Sequence, residues 1–451
     1  MRDLTEGSIT RNILEMAAPI AVGMIFQTLY LLVDLYFVAA LGDAAVAGVG
    51  AAGTLMFIVM ALTQVLGVGA VALISQAVGR KDQPDANLIF NQSLALAGLC
   101  ALATVVGGYA IASFYVASIT ADAAVSEAGI TFLYFFLPSL ALQFALVAMG
   151  SALRGTGIVK PTMVVQMLTV VLNTVLAPVL IAGWLTGHAF GVAGAGLASS
   201  ISVGAGVVML GIYFVKLEKY VGFDLTLWRP QLKTWKRMLG IGLPAGGEFA
   251  LMFVYMSFVY FVISDFGSEA QAGFSIGGRV MQSIFLPAMA IAFAAGPIAG
   301  QNFGAGNSNG VRETLSKAVF LSTVVMVVAT VLLQWRPEVL IAVFTNETEA
   351  VSVGADFLRI ISWTFVAQGV VFTCSGIFQG IGNTKPALAS SALRIALFVP
   401  LVLYAARRPG FTLDHVWYLS VATVFVQAAF SYLLLRQQFR RRLDKPALNT
   451  I

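Results

Sequence analysis

The chain has 451 residues, of which 59% are hydrophobic and only 10% charged, against roughly 25% charged in an ordinary soluble protein. That balance excludes a water-soluble globular protein, and at about 20 apolar residues per crossing the length accommodates roughly twelve membrane helices and no soluble domain. The net charge of +5 is explained by basic residues flanking membrane spans, so no nucleic-acid partner is inferred.

The polar N-terminus, Met1 to Arg11, leads into an apolar run too long and too aromatic for a cleavable signal peptide. The first helix is therefore expected to stay in the mature protein. Apolar runs lie near positions 12–40, 46–75, 88–116, 128–153, 161–184 and 189–215, and a second set near 238–264, 271–300, 314–343, 351–378, 386–406 and 412–435. The expected fold is an all-α integral membrane protein with twelve transmembrane helices. Arg80, Lys81, Arg154, Lys160, the tract from Lys216 to Arg237, Arg312, Lys385 and the tail from Arg436 to Lys445 fall on one side of such an arrangement. By the positive-inside rule that side is the cytoplasm, which places both termini inside the cell (inner) membrane. Arg407 and Arg408 are the exception.

Within the first run, from Thr28 to Ala40, one carboxylate interrupts apolar and aromatic residues: Asp34. An ionised Asp at bilayer depth is costly, so it either bonds to neighbouring helices as a structural residue or faces a cavity and acts. Withdrawal from water disfavours the charged form of a carboxyl group. A lone Asp in a semi-dry cavity can thus load and release a proton, whereas a bound cation would hold it ionised. Asn173, amid Val and Leu of the fifth run, needs hydrogen-bond partners there, through helix packing or through a site. Pro19 and Pro244 each remove a backbone hydrogen bond inside an apolar helix and invite a bend. Pro19 lies fifteen residues before Asp34, roughly 22 Å along a helix, so the two do not touch. Glu248, four residues after Pro244, reads as a gate, as part of a wetted vestibule, or as a solvated side chain. Arg279 lies deep enough to need a partner and reads as structural. Cys100 and Cys374 sit in apolar runs and suggest no disulfide. Both histidines, His188 and His415, fall in outer loops, and no catalytic or phosphate-cradling motif occurs, so the chain does not read as an enzyme.

Self-similarity is the most informative signal. A shift of 225 residues places Pro19 on Pro244, Gly42 on Gly267, Gly48 on Gly273, Gln76 on Gln301, Gly79 on Gly304, Gln143 on Gln368, and the stretch from Gly155 to Pro161 on that from Gly380 to Pro386. The chain is a duplicated six-helix unit: an N-terminal lobe over 1–215, a cytoplasmic linker over 216–237, and a C-terminal lobe with basic tail over 238–451. An even number of helices per unit makes the repeats parallel, related by a pseudo-two-fold axis along the membrane normal, an arrangement found in transporters. Asp34 falls on Val259, so the acid is present in one lobe only.

The paired signatures Gln76-Ala-Val-Gly79 with Gln301-Asn-Phe-Gly304, and Leu153-Arg-Gly-Thr-Gly157 with Phe378-Gln-Gly-Ile-Gly382, resemble the multidrug and toxic compound extrusion (MATE) family. The similarity runs from about Ile9 to Arg436. What the resemblance implies is an efflux antiporter driven by inward flow of H⁺ or Na⁺, without a further cofactor, with a first helix that bends near Pro19 when Asp34 changes charge. It implies an ion-coupling set of Asp34, Asn173 and Ser199. Many relatives carry a second Asp one turn past the Asn, where this chain has Ala177. That departure weakens Na⁺ coordination at Asp34, since hard cations favour several oxygen ligands with anionic charge; a proton needs one. Gln368 falls where some relatives carry a tenth-helix Asp, so the centre of the C-terminal lobe reads as uncharged.

Aromatic and Met side chains suit amphipathic cargo, and Tyr30, Tyr36, Met252, Tyr255, Met256 and Gln368 are the candidate cargo residues; such stripes also serve simple helix packing. The expectation is a monomeric exporter in the lipid bilayer exchanging H⁺, with Na⁺ the lesser candidate, for amphipathic or cationic small molecules. A flippase for lipid-linked precursors is the nearest alternative. It would favour an interior lined with Arg and Lys, which the sequence nearly lacks.

Overall fold

The computed structural model describes residues 1–185, 187–345 and 347–443; the end of the basic tail, Lys445 included, lies outside the described residues. Helices follow one another with short turns: α1 (Ile9–Ala39), α2 (Asp43–Gly79), α3 (Gln83–Ile119), α4 (Ala123–Gly155), α5 (Lys160–Ile181), α6 (Gly191–Lys216), α7 (Leu232–Ile263), α8 (Ser268–Gly304), α9 (Ser308–Trp335), the short α10 (Pro337–Ala342), α11 (Thr348–Ile361), α12 (Phe365–Gly380), α13 (Lys385–Ala406) and α14 (Leu413–Arg442). No strand is present among the described residues. Among the described residues twelve spans are long and apolar enough to cross a membrane, with α11 and α12 counted as one span over 348–380. A helix satisfies its own backbone polar groups, which is why hydrocarbon selects it.

Two expected spans are divided, and the run near 351–378 becomes α11 and α12 joined by a 3₁₀ turn over Ser362–Thr364. The apolar run near 314–343 becomes α9 and α10, because Pro337 disfavours helical backbone at the residue before it, and Arg336 is non-helical with φ −149° and ψ 73°.

The helices form two compact units, one comprising Met1–Asp3 and Ala18–Gly242, the other Leu4–Ala17 and Leu243–Ile451. Both boundaries fall just before a helix-interior proline, Pro19 of α1 and Pro244 of α7. In the first unit α4 packs on α2, α3 and α6, and α5 on α6; in the second α8 packs on α9, α11 and α12, and α13 on α14.

The repeat visible in the sequence recurs as repeated geometry. Gly42 and Gly267 both have left-handed backbone, with φ of 104° and 98°, a conformation that only glycine adopts cheaply. A Cβ on Gly48 would lie 2.7 Å from the Gly129 nitrogen, and one on Gly273 would lie 2.9 Å from that of Gly354. Small residues let membrane helices approach this closely and gain van der Waals contact. Asp82 caps α3 by accepting from the Asp85 amide, and Asn307, its repeat counterpart, caps α9 by accepting from that of Gly310, each satisfying an amide left over at the helix start.

Buried polar side chains of α3 hold the tract after α6. Asn91 donates to the Gly222 carbonyl at 2.9 Å and accepts from the Asp224 amide at 2.9 Å and the Trp228 indole at 3.0 Å. Gln92 donates to the carbonyls of Leu227 and Arg229 and accepts from the Gln231 amide. In the second unit the Gln301-Asn302 pair of α8 grips the N-terminal segment: Gln301 Oε1 accepts from the Leu4 amide at 2.8 Å, and Asn302 Nδ2 donates to the Leu4 carbonyl at 3.3 Å.

Replacing Gly273 with valine forces two methyl groups into the Gly354 backbone and is expected to destabilise the protein by about 1–3 kcal/mol. The check is a lowered melting midpoint on fluorescence-detected gel filtration, with Gly278→Val, where a Cβ meets only the Met256 methyl at 3.8 Å, the milder comparison.

Candidate functional site

Three helices of the first unit converge on Asp34. Helix α6 lies close against its neighbours because it carries glycines at the contacts: a Cβ on Gly194 would meet the Leu180 carbonyl of α5 at 2.4 Å, and one on Gly196 would meet that of Phe132 of α4 at 2.8 Å. Gly206 lets the Thr169 hydroxyl of α5 approach in the same way, at 2.9 Å. This packing buries Asn173 of α5 and Ser199 of α6 completely and points both at α1. Asn173 Nδ2 donates to Asp34 Oδ1 at 2.6 Å, and Ser199 Oγ donates to Asp34 Oδ2 at 3.1 Å. Each carboxylate oxygen therefore has its own donor, and such charge-assisted bonds are the strong ones.

Hydrogen-bonding capacity is left over around this carboxylate. Asn173 Oδ1 is buried without a partner, as is the Ser202 hydroxyl one turn after Ser199 on α6, and Tyr30 lies one turn before Asp34 on α1. Buried polar atoms are normally paired, and the unpaired Asn173 Oδ1 belongs to a side chain bonded directly to Asp34. Oxygen is the only ligand type on offer, which suits a proton carrier or a hard cation. Position 177, one turn past Asn173, is a fully buried alanine and adds no anionic oxygen. Among the described residues no group of three or more His, Cys, Asp or Glu side chains is placed to hold a metal ion.

A MatE family profile matches residues 19–179 and again 244–404, two stretches offset by the same 225 residues that relate the lobes. The chain belongs to the MatE family. The probable multidrug resistance protein YpnP of Bacillus subtilis is 25% identical over 84% of this chain and 84% of its own. The multidrug export protein MepA of Staphylococcus aureus is 25% identical over 92% of this chain and 91% of its own. A MATE protein solved in complex with MaL6 superposes with a TM-score of 0.92 at 23% identity, over 98% of this chain and 99% of that one; it shares the fold. These named relatives are transporters and not enzymes.

The MatE chain distributes the other sequence candidates unevenly. Tyr30 lies in the Asp34 cluster, whereas Tyr36 is 73% exposed and packs edge-on against Phe37. In the second unit Tyr255 and Met256 join the aromatic core around Phe398, Met252 is exposed, and Gln368 is half-buried on α12. Pro19 lies in the interior of α1.

Three readings of charge change. Glu248 is not simply solvated: its Oε2 accepts from Ser375 Oγ of α12 at 2.8 Å, and Ser375 accepts in turn from Gln379. Arg279 is exposed, without an ion pair among the described residues, so the partner the sequence suggested is not present there. The centre of the second lobe is not uncharged, because Arg394 of α13 stacks on Tyr255. The signal for Arg394 was present in the sequence: a lone charge in the middle of the run 386–406, the same logic that singled out Asp34.

Replacing Asn173 with leucine removes the shorter of the two bonds and leaves a buried carboxylate oxygen bare, a loss of about 1–3 kcal/mol. Efflux by everted vesicles is expected to fall by about tenfold or more, with Ser199→Ala, which loses the longer bond, falling less.

Proposed function

We propose that this MatE chain is a secondary active multidrug exporter that exchanges H⁺, rather than Na⁺, for amphipathic or cationic small molecules by alternating access. Multidrug export is the activity named for its relative MepA, and YpnP is named a probable multidrug resistance protein. The choice of ion rests on one observation: a single carboxylate, Asp34, held by two neutral donors, with Ala177 where a second acid would complete a cation shell. The protein works as a monomer in the cell (inner) membrane, with both termini cytoplasmic, as the distribution of basic residues favours.

Protonation of Asp34 supplies the switch. Hydrogen bonds to a charged acceptor contribute about 1.5–3 kcal/mol and neutral ones about 0.5–1.5. Neutralising the carboxylate therefore weakens its two bonds together by roughly 2–3 kcal/mol, which biases a two-state equilibrium by more than tenfold. Helix α1 is released from α5 and α6, bends where Pro19 leaves a carbonyl without its amide partner, and loses affinity for cargo in the shared cavity. Cargo export and proton entry then alternate at the same acid.

Proteoliposomes with separately imposed gradients test the ion. Uphill cargo movement is expected with a pH gradient and not with a Na⁺ gradient; the reverse pattern would overturn the choice of H⁺. Asp34→Asn is expected to abolish coupled efflux while leaving the protein folded, and coupled efflux that survives it would remove Asp34 from the mechanism. Ala177→Asp supplies the missing anionic oxygen, and its efflux is expected to gain a dependence on Na⁺. Pro19→Ala restores the backbone bond and is expected to slow efflux without altering cargo binding to the resting protein; undiminished efflux in that variant would count against the bend.

A further inference from the structure

The polar cluster around Asp34 has a counterpart in the second unit that proton coupling does not use. The shift of 225 residues carries Tyr30, Thr169 and Ser202 onto Tyr255, Arg394 and Gln427, and carries α1, α5 and α6 onto α7, α13 and α14. The charge is inverted. Where the first unit has Asp34 the second has Val259, and where the first has Thr169 the second has Arg394.

Arg394 lies nine residues past Lys385, the start of the 22-residue α13, about 14 Å along the helix and so near the middle of the span. Its guanidinium lies 4.0 Å from the centroid of the Tyr255 ring. That ring is wedged against Phe398 at 5.0 Å, and its hydroxyl shares a 2.6 Å hydrogen bond with Ser420 of α14. One turn before Arg394, Ser391 accepts from Gln427 Nε2 at 3.1 Å. Three atoms of this cluster are buried without partners: Arg394 Nε, Gln427 Oε1 and Ser431 Oγ. Among the described residues no carboxylate pairs with Arg394. The Arg394 side chain is half-buried, and with Nε enclosed its terminal nitrogens are the part that meets accessible space.

An arginine at this depth is costly unless something anionic or a water-filled cavity receives it. Arg394 is held over the Tyr255 ring, and its planar fork of donors matches two coplanar acceptor oxygens. The half-buried Tyr255 ring beside it suits an apolar body. We propose that the second unit binds the anionic group of an amphipathic cargo, a carboxylate seated against the Arg394 guanidinium with its apolar portion along the half-buried Tyr255 ring. The cargo range then extends beyond cationic compounds to carboxylic acids. The word cargo rests on the export reading above; the binding step does not depend on which ion drives transport.

The test is a fluorescence titration of the purified full-length protein in detergent with pyrenebutyrate and with its neutral methyl ester. The acid is expected to bind about tenfold or more tightly than the ester, a bidentate charge-assisted pair being lost in the ester. Arg394→Gln is expected to bring the acid down to the affinity of the ester, and Arg394→Lys, which keeps the charge without the fork, to fall between. Equal affinity for acid and ester, or acid binding that survives Arg394→Gln, would overturn the proposal. Stronger competition by dodecyl phosphate than by dodecanoate would overturn it too, by reassigning the site to phosphates. If Arg394→Gln is not monodisperse on gel filtration, the comparison of acid with ester on the unaltered protein decides the matter alone. No gradient is imposed, so failure here leaves proton coupling standing, and loss of coupling in Asp34→Asn leaves this site standing.

Discussion

Hydrocarbon supplies no hydrogen bonds, so every polar group placed at membrane depth has to be answered by the protein itself. The backbone answers through helices, and isolated hydroxyls answer by bonding back to their own helix, as Thr169 does to Val165 and Thr373 to Gly369. A carboxylate cannot be satisfied that way, because it only accepts. Asp34 therefore depends on donors from two other helices, Asn173 on α5 and Ser199 on α6. Those donors sit on two helices that pack closely together because the glycines of α6 remove the side chains that would hold α5 and α6 apart. The tight packing of the first unit and the chemistry of its acid are the same fact seen at two scales.

Duplication divides the chain into what repeats and what does not. Packing repeats: the close glycine contacts at Gly48 and Gly273, the left-handed turns at Gly42 and Gly267, and the caps at Asp82 and Asn307. These positions answer to backbone geometry, which is the same in both lobes. Charge deep within the spans does not repeat. Asp34 has no acid opposite it, Arg394 has no base, and Glu248, bonded to Ser375, falls on Gly23, where a Cβ would lie 2.7 Å from Gln166 Oε1. A duplicated scaffold is freest to acquire new roles where one copy's side chain can change without disturbing a backbone contact, and the unpaired charges sit at such places.

The polar motifs that punctuate the loops serve the same economy at the helix ends. Gln301 and Asn302, part of a signature that resembles the family pattern, spend their amides on the backbone of Leu4, and Asn91 and Gln92 spend theirs on the tract after α6. Segments with no regular structure carry unpaired backbone groups, and buried amides, which both donate and accept, are suited to satisfying them.

Composition and hydropathy alone determined the membrane class, the twelve spans and the duplication, because apolar length and punctuating residues are local properties written directly in the chain. They also singled out Asp34, since one charge in an apolar run is visible without coordinates. Tertiary structure decided who answers that charge. The bonds from Asn173 and Ser199 join residues separated by 139 and 165 positions, and no periodicity encodes which faces of three helices meet. It decided too that Tyr36 points away from Asp34 while Tyr30 stays beside it, a difference of helical phase. Arg394 was as legible as Asp34, but its significance was not: only the packing of α13 on α7 and α14 shows a mid-span cation stacked on an aromatic ring with no carboxylate to neutralise it.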